Sequence, residues 1–144
     1  MKARVIQEAG PMTLAVIFET GDKVMAGLDA VAHDYDLAAS HFTAIGAFRR
    51  ATLGFFEWES KEYKEIPVEQ QVEVLSLIGD IAREDGEPKI HAHVVLGCED
   101  GSTRGGHLME ATVRPTLEVV IVESPAHLRR HLDPESGLAL IQLH

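Results

Sequence analysis

The sequence predicts an α+β fold in which short strands outnumber helices. Three observations support this prediction: most apolar segments are short and rich in branched residues, one segment alone has a clear helical period, and no apolar run approaches the roughly 20 residues needed to cross a bilayer. The 144 residues, 45% of them hydrophobic, suffice for one core. We therefore expect a single domain spanning residues 1–144.

The N-terminal part is predicted as two strands followed by the main helix. Arg4–Gln7 form the first strand and precede EAGP, a turn signal. In the second, MTLAVIF, both alternating rows are mostly apolar, so we expect burial on both sides. Residues 22–36 change to a helical period, and Asp22 can cap this helix. Its apolar positions follow the i, i+4, i+7, i+11 spacing: Val24, Leu28, Val31 and Tyr35.

The rest of the chain is mostly strand-like. The predicted strands are FTAIGAFRR and TLGFFEWES, with Gly46 and Gly54 as bulges or close approaches, followed by EYKEI, TLEVVIVE and LALIQLH. Ser124 before Pro125 and AHLRRHL predict a short C-terminal helix. The segment PVEQQVEVLSLIGDIARE fits a helix, or a strand with Val72, Val74, Ser76 and Ile78 on one face, and periodicity alone does not decide.

Composition excludes several classes of protein. The formal net charge of −10 speaks against non-specific binding to a phosphate backbone, which needs clustered Lys and Arg. A single cysteine, Cys98, excludes an internal disulfide framework and favours a reducing compartment. The apolar run Met12–Phe18 has neither a basic leader nor a small-residue cleavage site. We therefore expect a cytoplasmic protein that does not enter a membrane.

The stretch IHAHVVLGCEDGSTRGGH, residues 90–107, contains three histidines. If residues 90–98 form a strand, the even positions are all apolar and face the core, whereas His91 and His93 share the opposite face. Their backbone positions are then about 6.6–6.8 Å apart. Ring nitrogens at this spacing can converge on one ion at the nitrogen–metal distance of about 2.0–2.1 Å.

The third histidine is placed by the expected hairpin. EDG suits a three-residue loop with Gly101 in the left-handed position, so that Cys98 pairs with Ser102 and His93 with His107. Directly opposed residues share a face, and the three histidines therefore form a cluster. In this register Glu110 falls on the other face, and a one-residue slip at the Gly-Gly pair would break the cluster.

Such a cluster is compatible with several roles. Three neutral imidazoles suit zinc, and also copper, nickel or iron. With an open fourth position they resemble a catalytic zinc arrangement, in which bound water becomes a nucleophile. A histidine triad can equally fasten a subunit interface. The pattern itself does not choose between these roles.

The segment PKIHAHVVLGCEDGSTRGGHLMEATVRPTLEVVI resembles the core of the plants and prokaryotes conserved (PPC) domain, which typically has a His-x-His strand, a short turn with glycine and a Gly-Gly-His-Leu sequence. GDKVMAGLDAVAHDYDL is similar to its first helix and HLRRHLDPESGLALIQL to its closing segment. The resemblance covers nearly the whole chain. It implies a mostly antiparallel sheet with a flanking helix, an extended EVLSLIG, and assembly as a homotrimer.

The resemblance also implies a site and a set of functions. In prokaryotic members three histidines are associated with zinc, and carried over they are His91, His93 and His107. In plants the domain follows a basic AT-hook, which this chain lacks. The plant domain also carries a sequence for protein contacts, and the matching stretch of this chain, QQVEVLSL, keeps only its Glu-x-Leu portion. Our leading hypothesis is a stand-alone metal-binding, trimeric PPC protein. The alternatives are a DNA-binding or transcription-associated regulator, and a zinc-dependent hydrolase with Glu57 or Glu110 as general base.

Overall fold

The computed structural model describes residues 1–7, 10–125 and 127–143. Within these residues nine strands form one sheet and one helix packs against it, which confirms the predicted strand-rich fold with one main helix. The elements in chain order are β1 Lys2–Gln7, β2 Thr13–Glu19, α1 Val24–Asp34, β3 Ala39–Glu57, β4 Glu62–Val68, β5 Val72–Glu84, β6 Glu87–Gly97, β7 Thr103–Glu123, β8 Arg129–Leu132 and β9 Ala139–Gln142. No helix in this part of the chain has the length and apolar composition needed to cross a bilayer.

The sheet runs in the order β1-β2-β7-β3-β5-β8-β9, with β4 added to β3 and β6 paired with both β5 and β7. Every pairing is antiparallel except the short contact of β5 with β8, which confirms the mostly antiparallel sheet. Because β6 joins β5 to β7 and β3 also joins them, these four strands form a closed ring of pairings. The histidine stretch lies on two strands of this ring.

The core lies between α1 and the face of the sheet that we call the inner face. Helix α1 contacts β6 and β7, and its predicted apolar residues Val24, Leu28 and Val31 are buried. The largest fully buried side chains come from several strands and the segment after the helix: Phe18, Phe42, Phe48, Leu14, Leu37, Leu53, Leu77, Ile81, Leu96, Leu108 and Leu117. Burial of these side chains is the main stabilising contribution to the fold.

The start of α1 differs from the prediction. Its N-cap residue is Lys23, and the Asp22 carboxylate instead accepts a hydrogen bond from the Glu19 amide at 2.9 Å. The helix receives its carboxylate from a distant strand, since Glu110 Oε1 accepts a hydrogen bond from the Met25 amide at 3.0 Å. An acidic group at this end of a helix satisfies an otherwise unpaired N–H and interacts favourably with the helix dipole.

The predicted short C-terminal helix is wrong, because Arg129–Leu132 form strand β8. A tight turn explains the difference: the Asp133 carboxylate accepts hydrogen bonds from Ser136, and Gly137 adopts a φ of 75°, which glycine tolerates best. The chain therefore reverses and β9 pairs with β8. Residue 126 of the predicted helix, Glu8 and Ala9 of the predicted EAGP turn, and His144 lie outside the described residues.

Three strand predictions need correction. FTAIGAFRR and TLGFFEWES are one continuous strand, β3, although Gly46 does lie at shifts of register. In β2 one face is buried, but the other is not, and Ile17 is 38% exposed. The ambiguous segment is a strand, β5, yet a register shift between Val74 and Ser76 reverses its faces, so that Val72 and Val74 are buried whereas Ile78 is exposed.

Candidate metal centre

The predicted hairpin register is confirmed. The Gly101 amide donates to the Cys98 carbonyl at 2.9 Å, the Cys98 amide donates to the Ser102 carbonyl at 2.8 Å, and Gly101 has a φ of 80°. Strand β6 then pairs with β7 so that His93 lies opposite His107. The strand alternation holds as well, because Ala92, Val94 and Leu96 are buried while His91 and His93 are on the opposite side.

The three predicted histidines converge. His91, His93 and His107 each offer one ring nitrogen, and these nitrogens lie within 4.8 Å of one another. The ring centroids are 4.9 Å apart for His91 and His93, 5.2 Å for His91 and His107, and 5.6 Å for His93 and His107. Small side-chain rotations bring such nitrogens to the separation of about 3.4 Å that tetrahedral bonds of 2.0–2.1 Å require.

The environment keeps two of these rings neutral. Burial, and secondarily the charges of His91 and His93, lower the pKa of His107 to about 4. Burial also lowers the pKa of His91, with Arg130 and His93 acting in the same direction and Asp80 opposing them. A neutral imidazole keeps the lone pair that a metal ion needs, so both rings are ready ligands at neutral pH.

One ring nitrogen also lacks a partner. Among the described residues, Nδ1 of His107 is buried and makes no hydrogen bond. Burying a polar atom without a partner is unfavourable, and such atoms in folded proteins are usually compensated by water or an ion. The histidine cluster therefore fits a metal ion. Among the described residues, the cluster contains no carboxylate and no thiolate.

Three residues near the cluster were missed in the sequence. The Tyr63 ring lies 4.7 Å from the His107 ring, measured between centroids, at an angle of 35°. The Asp80 carboxylate is 3.9 Å from Nδ1 of His91 and also pairs with Arg130, a buried cation. Arg130 could have been found if HLRRHL had been interpreted as a strand. Neighbouring residues of a strand point to opposite sides, so one of the two arginines, Arg129 or Arg130, would have been expected to face inward.

The other candidate residues lie apart from the cluster. Glu110 Oε1 is engaged by the amides of Met25 and Ala111, and Glu57 is exposed at the end of β3, near Ser60. Neither glutamate belongs to the histidine cluster, so the general base that the hydrolase hypothesis assigned to them is not beside the histidines. Cys98 is partly buried and packs against the core, as expected of an inert thiol.

Solved structures of similar proteins share this fold. A PPC protein from Pyrococcus horikoshii is 32% identical, with 92% of each chain covered and a TM-score of 0.85. A metal-containing protein from Archaeoglobus fulgidus is 29% identical, with 99% of this chain and 97% of the other covered and a TM-score of 0.84. A protein from Ralstonia eutropha, provisionally described as DNA-binding, is 30% identical, with 91% of each chain covered and a TM-score of 0.85.

The comparison with sequence families agrees with these structures. No curated protein sequence matches the chain significantly. The family model described as the Plants and Prokaryotes Conserved (PCC) domain matches residues 7–125, which include the complete histidine cluster. The chain belongs to the Plants and Prokaryotes Conserved domain family.

Proposed function

We propose that this protein binds a metal ion, which we expect to be zinc, through His91, His93 and His107. The observation that carries the proposal is the convergence of their three ring nitrogens within 4.8 Å. The unpartnered Nδ1 of His107 and the metal content of the Archaeoglobus fulgidus relative support it. Nitrogen donors disfavour calcium and magnesium, which prefer oxygen ligands, whereas three neutral imidazoles are typical of zinc sites.

Elemental analysis of protein purified without added metal tests the site. We expect close to one equivalent of a transition metal in the wild-type protein and loss of most of it in His93→Ala, because His93 is exposed and its removal should leave the fold intact. His127→Ala is the matched control, since this exposed histidine lies outside the cluster. Equal metal content in wild type and His93→Ala would contradict the proposal.

We also propose that the chain assembles as a homotrimer in the cytoplasm. The support is the side of the sheet opposite the core, the outer face, which carries six large apolar residues that a single chain leaves exposed: Ile17, Ile45, Leu75, Ile78, Val95 and Val120. Four strands, β5, β3, β7 and β2, contribute to one row of residues across this face. Ile78 pairs with Thr43, Thr43 with Val120, and Val120 with Ala15. An apolar patch of this kind is typical of a protein interface.

The outer face and the histidine cluster are neighbours. Ile78 of the outer face pairs directly with His93 across β5 and β6, so the two side chains lie on the same side of the sheet. Copies that cover the outer face would therefore also approach the metal site. In a trimer, which the resemblance to the PPC domain implies, this adjacency would limit solvent access to the ion.

DNA binding is the less favoured function. The description of the Ralstonia eutropha relative raises it, but the formal net charge of this chain is −10. A gel-shift assay at low salt, where phosphate contacts are strongest, tests it directly. We expect no retained complex at micromolar protein, and a retained complex would revive this alternative.

A further inference from the structure

A cavity of about 300 Å³ lies between the histidine cluster and the C-terminal strands. His91, His107 and Tyr63 line it on the side of the cluster, and residues 137–140, which lead into β9, line it on the other side. The volume is at the lower end of the range for small-molecule sites, which is about 300–1,000 Å³. The cavity is therefore suited to a compact ligand.

Arg130 supplies the distinctive polar group of this cavity. It is only 8% exposed, yet it lines the cavity wall. Its Nη1 donates to the Ala139 carbonyl at 2.9 Å and its Nη2 pairs with the Asp80 carboxylate, but its Nε is buried and has no partner among the described residues. A guanidinium has five N–H donors in a planar fork, and the Ala139 carbonyl and the Asp80 carboxylate use two of them, so donors remain for a planar, two-oxygen acceptor.

The rest of the lining determines what else such a ligand must carry. Ile90, Leu138, Ala139 and Leu140 make much of the wall apolar. The second cation, Lys89, lies 3.8 Å from the Glu84 carboxylate, so both cations of the cavity already have an acidic partner. Without an ion at the histidines the cavity therefore has no surplus positive charge, and an anion would gain little by entering.

We propose that the cavity binds a small aliphatic monocarboxylate, with its carboxylate at Arg130 and its chain against the apolar wall. This inference rests on the proposed metal binding, because the ion supplies the surplus positive charge. The chemical class follows from the lining: a guanidinium matches a carboxylate bidentately, and the neighbouring aliphatic side chains favour a hydrocarbon tail.

Ligand-observed NMR with butyrate tests the inference on the protein as purified, with metal content measured on each sample. We expect butyrate to bind the metal-loaded wild type and 1-butanol, which lacks the carboxylate, to bind at least ~10-fold more weakly. Arg130→Gln should weaken butyrate binding by a similar factor of ~10 while metal content stays unchanged. Arg129→Gln is the control, because Arg129 is exposed and does not line this cavity.

A second variant is needed because Arg130→Gln removes the cation that pairs with Asp80 and could therefore misfold. Arg130→Lys keeps the positive charge but loses the planar fork, and it should also weaken butyrate binding. Metal-loaded protein that does not bind butyrate, or folded Arg130 variants that bind it as the wild type does, would overturn this inference alone. Butyrate that binds the wild-type protein equally well without metal would overturn the role given to the ion, whereas wild-type protein that takes up no added zinc would instead overturn the proposed metal site.

Discussion

The Glu110 carboxylate accepts a hydrogen bond from the Met25 backbone amide at 3.0 Å, which joins β7 to the first turn of α1. Glu110 lies only three residues beyond His107, so this contact fixes the strand that carries one of the three histidines against the helix. From the sequence we expected Glu110 on the face opposite the histidines, and the hydrolase hypothesis named it as a possible general base. In the structure it is a helix-capping residue.

Substitution of Glu110 should therefore destabilise the protein. We expect Glu110→Ala to lower the free energy of unfolding by about 1 kcal/mol, the typical loss on removal of a helix cap, with up to about 2 kcal/mol if the Ala111 amide is also left unpaired. Glu65→Ala is the control, because Glu65 is an exposed glutamate on a strand, β4, and lies outside the outer face. Urea denaturation measures both variants, and an equal effect of the two would contradict the capping role.

Removal of the metal should lower thermal stability. An ion that binds only the folded protein stabilises it by about 4 kcal/mol when its free concentration is a thousand times Kd. We expect a chelator to lower Tm of the wild type by several degrees and to leave Tm of His93→Ala unchanged. Differential scanning fluorimetry measures the change, and readdition of zinc should restore it. A chelator effect of equal size in both proteins would show that the ion is bound elsewhere.

Introducing a charge into the outer face should disrupt assembly. Ile45 is 61% exposed in one chain, so Ile45→Glu should leave the folded chain intact but place a carboxylate in the interface. Light scattering after size exclusion should give three times 15.8 kDa for the wild type and the mass of one chain for the variant. Leu132→Glu is the control, since Leu132 is also exposed but lies on β8, outside the outer face. A monomeric wild type would refute the trimer.

A methyl group at Gly106 should distort the histidine hairpin. A Cβ atom there would lie 2.8 Å from the Gly54 carbonyl oxygen of β3, and a backbone neighbour cannot move aside easily. We expect Gly106→Ala to destabilise the protein by about 1–3 kcal/mol, as overpacking does, and to reduce its metal content. Thr103→Ala, an exposed position on β7, is the control. Wild-type stability together with full metal content in Gly106→Ala would contradict the close approach.

His33 should make a contribution to stability that depends on pH. A hydrogen bond from its ring to the Asp29 carbonyl, reinforced by the Asp29 and Glu87 carboxylates, raises its pKa above 6.5. The folded protein then binds the proton more tightly than the unfolded chain, so the stabilisation is fully present below pH 6.5 and is lost as the pH rises through the raised pKa.

The variant His33→Gln tests this linkage. The midpoint of its unfolding in urea should be lower than that of the wild type at about pH 5.5. At about pH 8.5 the two midpoints should be similar, because histidine is then neutral in both the folded and the unfolded protein. His127→Gln provides an exposed-histidine control. A difference between wild type and His33→Gln that does not change with pH would show that the ring acts by packing alone.

The sequence was most informative where the determinants of structure are local. The register that brings His93 opposite His107 depends on a three-residue loop, on Gly101 and on strict strand alternation, all within eighteen residues. The structure confirms it because no bulge interrupts the pairing of β6 with β7 between Gly97 and His93. Local chemistry was therefore sufficient to predict the cluster.

The wrong predictions arose where contacts between distant parts of the chain determine the local structure. Leu75 lies at a register shift of β5, and the shift that reverses the faces of this strand leaves no sign in its own alternation. The cap at Met25 comes from a residue 85 positions away. Strand β8 pairs with β9 through a local turn, but it is joined to β5 by the pairing of Arg130 with Asp80, fifty residues away.

Strand β7 carries His107, Glu110 and Val120 between Thr103 and Glu123, and three register shifts against β3 set the faces on which these residues lie. An inserted residue that no further bulge absorbs would turn the side chains beyond it to the opposite face, so that a ligand, a cap and an interface residue could no longer all point correctly. Lengthening of the chain in relatives should therefore be confined to the exposed turn around Asp100, where extra residues would leave the strands in place.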